Sequence, residues 1–145
     1  MDRMSPQRIG ELLNGPLQAI FAVNRADKGP LAIPMSYVFE RDRFVMVTSP
    51  GTLHGRLMLR QGRGTITVQF EACDGRSVHQ WYVIAEGPVG FTDEDPRPFV
   101  RRILSKDRGE SNADEWTARM GAADDTVAEL VPERMSGFES RAALD

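Results

Sequence analysis

Residues Phe44 to Thr67 read FVMVTSPGTLHGRLMLRQGRGTIT, and the fold is decided there. Phe44, Val45 and Val47 are strand formers, because β-branched and aromatic side chains suit a pleated, half-buried surface. Ser49-Pro50-Gly51 ends that strand: proline lacks a donor and glycine permits unusual backbone angles. Thr52 then caps a helix starting at Leu53, its side-chain oxygen accepting a bond from a free backbone N–H. On the helix Leu53, Leu57 and Met58 share one side. Arg56 and Arg60 are i,i+4 neighbours on another, with Arg63 close to that line if the helix reaches it. Ile66 and Val68 open the next strand. A helix N-terminus preceded by hydroxyls and followed by a basic stripe can receive an anion, since free N–H groups and the helix dipole both favour negative charge. The same order of elements also occurs in domains that bind nothing, where such arginines are simply solvated.

Working outward, Ser5-Pro6 opens a helix with an N-cap and a first-turn proline, and Asn14-Gly15 closes it, giving a helix over about 5–14 with Ile9, Leu12 and Leu13 on its apolar face. Leu17 to Asn24 and Leu31 to Glu40 read as two strands joined by a turn at Asp27-Lys28-Gly29. Pro34 marks an edge, a bulge or a gap in the second, because proline cannot donate to a ladder. Arg41-Asp42-Arg43 makes the hairpin to the strand of the opening stretch. Gly64 to Glu71 and Val78 to Phe91 follow as strands around an Asp74-Gly75 turn, the latter with a bend expected at Gly87-Pro88. Strands that bend this way suit small barrels. After Asp93 to Pro96 a helix carries Phe99, Val100, Ile103 and Leu104 on one face and Arg101, Arg102 and Lys106 on the other, read as solvated. Residues 107–114 read as a mobile polar loop, Glu115 to Met120 as a short helix, Val127 to Pro132 as a sixth and last strand, and 133–145 as a tail.

The chain has 145 residues, enough for one domain (1–145) with a real core, and a net charge of −3, which gives no global attraction to nucleic acid or an anionic membrane. Its single cysteine, Cys73, rules out an intramolecular disulfide and any multi-cysteine metal site. Without a signal-like N-terminus or a membrane-length apolar run, a cytoplasmic location is expected. No HExxH, CxxC or Walker signature occurs, and His54 and His79 have no metal-ligand spacing, so no metal site is expected. No nucleophile constellation or acid–base pair stands out, and no catalytic residue is assigned.

The opening stretch resembles the central segment of the pyridoxamine 5′-phosphate oxidase-like family, flavin and deazaflavin oxidoreductases with a split barrel. The residues that carry it are Thr48, Gly51, Thr52, His54, Met58, Arg60 and Arg63, followed by Ile66 and Val68. His54 stands where the family has Lys, and Leu57 where it has Asn. Pro34, the Glu86-Gly87 pair and the run Pro132, Glu133, Arg134, Gly137 and Phe138 extend the likeness from about Ser5 to Phe138.

The resemblance implies a mainly β fold with flanking helices (α+β), a six-stranded antiparallel split β-barrel spanning about 17–91, with helices and the last strand over about 96–132. It implies hydride transfer to or from a small organic substrate, with FMN or coenzyme F-420 (8-hydroxy-5-deazaflavin) as cofactor and a homodimer as the working form. It places Pro34, Met35 and Ser36 beside the cofactor ring. Thr48 and Ser49 would bond the ring or ribityl chain, and Thr52, His54, Arg56 and Arg60 would hold the phosphate or acidic tail. Trp81, Tyr82 and Phe138 become candidates for the dimer interface or the substrate wall. With its usual Lys and Asn replaced, the motif also admits a non-enzymatic split barrel that binds FMN, haem or another tetrapyrrole.

Overall fold

A computed structural model of the chain describes residues 1–120 and 123–144. In chain order, β1 (Asp2–Arg3) precedes α1 (Pro6–Leu13), which Ser5 caps by accepting a bond from the Arg8 N–H at 3.2 Å. Next come β2 (Ala19–Val23), β3 (Leu31–Met35), β4 (Val38–Glu40) and β5 (Arg43–Thr48). Arg41 and Asp42 take left-handed backbone angles in the β4–β5 turn, as a tight hairpin requires. α2 (Leu53–Gln61) begins at its Thr52 cap and ends at Gly62, whose φ of 64° gives the left-handed C-cap. β6 (Arg63–Cys73) and β7 (Ser77–Phe91) are long partners joined at the Asp74 turn. α3 (Pro96–Arg108) starts from an Asp95 cap with proline in its first turn, and α4 (Glu110–Met120) follows directly. β8 (Thr126–Leu130) and β9 (Arg134–Ala143) complete the chain.

The strands form one antiparallel sheet of nine, in the order β3-β2-β6-β7-β8-β5-β4, with β9 beside β7 and β1 beside β9. The organising strand is β7. Residues 78–88 pair with β6, 77–86 pair with β9 on the other side, and 89–91 pair with β8. At Gly87-Pro88, where a bend is expected, pairing with β6 runs through both residues while the other edge of β7 passes from β9 to β8. Glycine is needed there: a Cβ at Gly87 would lie 2.0 Å from the Val131 carbonyl oxygen.

The nine strands correct the expected six. The stretch expected as one strand, Leu31 to Glu40, is divided at Ser36-Tyr37: β3 pairs with β2, whereas β4 pairs with β5 at the far end of the sheet. The division follows Tyr37, which is fully buried and donates its hydroxyl to the Leu13 carbonyl at 2.8 Å. The expected tail over 133–145 contains β9, a ten-residue strand held by the outer edge of β7. Its alternation is hidden because Gly137, its buried core-side position, has no side chain; a Cβ there would meet Met4 Cε at 2.6 Å.

The expected loop at 107–114 is the end of α3 and the first turns of α4. Nor is the polar face of α3 simply solvated. Arg102 pairs with Glu40 and lies over the Phe99 ring at 4.5 Å. Lys106 is buried, bonding the Gly15 and Leu17 carbonyls at 3.2 and 2.9 Å and Asp107 beside it. On α2, Leu57 and Met58 are buried as expected, but Leu53 points outward and is half exposed. Arg63 has left the helix for β6, where it pairs with Glu133.

The main core lies between the sheet and helices α1 and α2, centred on Phe21, Phe44, Met46, Met58, Ile66, Val68, Trp81, Val83 and Leu130. A second cluster, with Val38, Val45, Phe99, Ile103 and Val127, seats α3 on the other face of β4, β5 and β8. No described helix is long and apolar enough to cross a membrane.

Candidate functional site

The end of β3, the end of β5, the start of α2 and the inner face of α3 surround a cleft of about 360 Å³. Of the nine residues proposed from the sequence, Pro34, Met35, Ser36, Thr48 and His54 line it. Their meeting follows from the topology. β5 delivers Thr48 at its last position and the Ser49-Pro50-Gly51 turn reverses the chain, so that His54 comes back over that strand end. The pair is joined directly, Thr48 Oγ1 to His54 Nε2 at 2.6 Å. Burial pushes the His54 imidazole below its ordinary pKa of 6.5. It is therefore neutral at pH 7, and the Thr48–His54 bond is a neutral hydroxyl–imidazole contact.

The β3–β4 break supplies the opposite wall. Pro34 pairs in register with Ile20, and Ser36 lies just past the end of β3, its hydroxyl accepting from Gln18 Nε2 at 3.3 Å. Gln18 and Val47 also line the cleft, as does Asp125 just before β8. Val100, Ile103 and Leu104 close it from α3. None of these six was singled out as a site residue from the sequence. The α3 residues were legible only as a helix face, and nothing local says that part of that face borders a cleft.

The other four proposed residues are not on the lining. The Ser49 hydroxyl donates to Asp124 Oδ2 at 2.6 Å while accepting the Gly51 N–H at 3.1 Å. The Thr52 hydroxyl donates to the Ser49 carbonyl at 2.8 Å and accepts the Gly55 N–H at 3.0 Å. Arg56 folds back to donate to the Gly51 carbonyl at 2.6 Å. Arg60 is exposed one turn further on. Gly55 lets the helix start sit against the turn: a Cβ there would be 2.3 Å from the Ser49 carbonyl oxygen and 2.9 Å from Pro50 Cα. The sequence signal for it was a glycine inside a helix, where it otherwise costs stability.

Chemically, the cleft offers apolar walls from Met35, Val47, Ile103 and Leu104, with hydroxyl and amide groups at Ser36, Thr48 and Gln18. This suits a planar, mostly apolar ligand with a polar edge. The flavin or deazaflavin ring that the sequence resemblance implies fits this donor set. Its terminal phosphate finds no Lys or Arg on the lining. Among the described residues, no three His, Cys, Asp or Glu side chains are placed to hold a metal ion.

No family model matches the sequence, and no curated protein matches it. Solved structures do match the fold. An FAD-binding protein from Mesorhizobium loti superposes with a TM-score of 0.68 at 19% identity, covering 96% of this chain and 97% of that one. An F-420 reductase gives 0.64 at 19% identity, covering 86% and 93%. An FAD- and haem-binding protein from Mycobacterium smegmatis gives 0.65 at 17% identity, covering 97% and 82%. The chain thus has the fold of a group of flavin- and deazaflavin-associated proteins, at identities where fold alone is shared.

Proposed function

We propose that the protein belongs to the pyridoxamine 5′-phosphate oxidase-like family and works as a homodimeric, cytoplasmic flavin- or deazaflavin-dependent oxidoreductase acting on a small organic substrate. The observation that carries the reading is convergence. Pro34, Met35, Ser36, Thr48 and His54, chosen from separate stretches of sequence as ring-side or cofactor-side residues, line one cleft, in a fold shared with an FAD-binding protein and an F-420 reductase.

The bound cofactor, FMN or coenzyme F-420, supplies hydride transfer. The chain's part is to bind and orient it. Pro34 contributes no N–H, and the break after β3 leaves the Ser36 backbone free of a regular strand, where it can bond a polar ring edge. Thr48, held by His54, presents a fixed hydroxyl from the other side. Ile103 and Leu104 exclude water from the α3 wall, which strengthens each polar contact made there.

Titration of the purified protein with FMN and, separately, with coenzyme F-420, followed by fluorescence, tests the reading. Binding of one of them at micromolar Kd or tighter is expected; failure of both overturns it. A second reading, a non-enzymatic binder of FMN, haem or another tetrapyrrole, is favoured by His54 and Leu57 at the motif's diagnostic positions and by the fold shared with an FAD- and haem-binding protein. A Soret band on haem addition, without turnover of any reduced cofactor, would select it.

A further inference from the structure

We infer that the cleft recognises the uncharged ring of its ligand and has no clamp for a terminal phosphate, because Thr52, His54 and Arg56 are engaged within the chain and the exposed Arg60 is off the lining. The inference rests on the flavin-type reading above and narrows its ligand class to a planar, neutral heterocycle whose anionic tail, if it has one, contributes no affinity.

Three observations carry it. The lining contains no Lys or Arg; its ionisable residues are His54 and Asp125. His54, the nearest candidate for a cationic donor, is engaged by Thr48 at 2.6 Å, and its burial disfavours the charged imidazole. The anion-receiving groups of the turn are used internally. The Gly51 N–H goes to Ser49, the Gly55 N–H and Thr52 hydroxyl stay within the loop, and Arg56 is turned onto the Gly51 carbonyl. Most telling is Ser49. Its hydroxyl donates its one proton to the carboxylate of Asp124 at 2.6 Å, which leaves none for a phosphate oxygen. A dianionic phosphate would have to displace that carboxylate and then lie beside it, which like-charge repulsion opposes.

The test compares ligands with and without the anionic tail, which is the phosphate alone in one pair and the phosphate with its acidic extension in the other. Dissociation constants of the wild-type protein are measured for riboflavin and FMN, and for coenzyme F-420 and its phosphate-free riboflavin-level chromophore. Within each pair the expected constants agree within tenfold, and Arg56→Ala/Arg60→Ala leaves them unchanged. A preference of more than tenfold for the phosphorylated member overturns the inference and leaves the proposed function standing. Binding of none of the four overturns the proposed function and this inference together, so the two failures are distinct. A second variant, Asp124→Ala, frees the Ser49 hydroxyl. It should raise the ratio of FMN to riboflavin affinity at least tenfold over wild type. An unchanged ratio in the folded variant would overturn the assignment of Asp124 as the cause.

Discussion

Gly55 has no side chain to contribute, yet it sets how close α2 can come to the end of β5. The predicted Cβ contacts are with backbone atoms of Ser49 and Pro50, which cannot swing aside as a flexible side chain would. Gly55→Ala therefore has to move the helix or the turn, and overpacking of this kind costs about 1–3 kcal/mol. The gain in helix propensity, about 1 kcal/mol, offsets only part of it. A lowered Tm is expected, with the largest amide shifts at Thr48 to His54 by NMR; an unchanged or raised Tm would show that the close approach is not tight. Gly10 is the natural control, since a Cβ there meets nothing within 4 Å and the helical gain should dominate. His54 adds a pH term at the same scale. Its pKa is depressed on folding, so the associated stability is present above 6.5 and is lost as the pH falls through the folded value.

At the scale of elements, α3 is held to the rest of the molecule by charge as well as by its apolar face. Phe99 lies between the guanidinium groups of Arg43 and Arg102, and Arg43 bridges Glu94 and Glu129. Those bonds hold the Glu94 carboxyl down at about 2. At the other end Lys106 reaches the α1–β2 connection, where it bonds two carbonyls and rests 4.3 Å from the centre of the Tyr37 ring. Burial in turn pushes the Tyr37 phenol up. Lys106 thereby fixes both the α3 wall of the cleft and the segment carrying Gln18. Lys106→Met keeps the stem's packing and removes the charge, leaving two carbonyls short of a donor. A loss of about 1–3 kcal/mol is expected, with faster hydrogen exchange at Leu17 to Ala19. Unchanged exchange there would show that α3 is seated by its apolar face alone. An equivalent clasp ties α1 to β9: Arg8 and His79 both bond Glu139 and hold its carboxyl at about 2.

For the whole molecule, the face of the sheet turned away from the main core is the open question of assembly. Along β7, Trp81, Val83 and Ala85 point inward, so Tyr82 and Ile84 point outward. Ile84 sits in one row with Thr67 and the 43% exposed Ile20, and the Tyr82 ring meets Phe138 at 5.4 Å. This patch is the interface expected if the chain forms the proposed homodimer. Of the three aromatics considered for it, Trp81 is excluded, being 3% exposed and stacked against Phe70 in the core. Sedimentation should give twice the 16.2 kDa chain mass. Ile84→Asp should halve it while leaving the fold intact by circular dichroism. A wild-type monomer, or a dimer indifferent to that change, would remove the patch from consideration.

Much of this was legible locally. The Ser5 and Thr52 caps, the Asp95-Pro96 helix start, the Arg41-Asp42 hairpin and the paired strands on either side of Asp74-Gly75 are each specified by a few adjacent residues, because caps and turns are short-range chemistry. Pro34 and the Thr48–His54 segment were placed beside the cofactor by the family likeness, since local chemistry reads Pro34 only as an edge, a bulge or a gap. What the sequence could not determine depends on residues far apart in the chain. Whether Leu31 to Glu40 is one strand or two depends on the buried seat of Tyr37. The strand β9 reads as a tail because its core position is a glycine filled by Met4 and Ile9. The fate of the turn's hydroxyls depends on Asp124, 75 residues beyond Ser49. The sequence by itself determined the caps, the tight turns and the central strands and helices, together with the start of the site. Only the tertiary structure decided which side chains share the cleft and which donors are already spent, because those outcomes turn on contacts between residues that only the folded topology brings together.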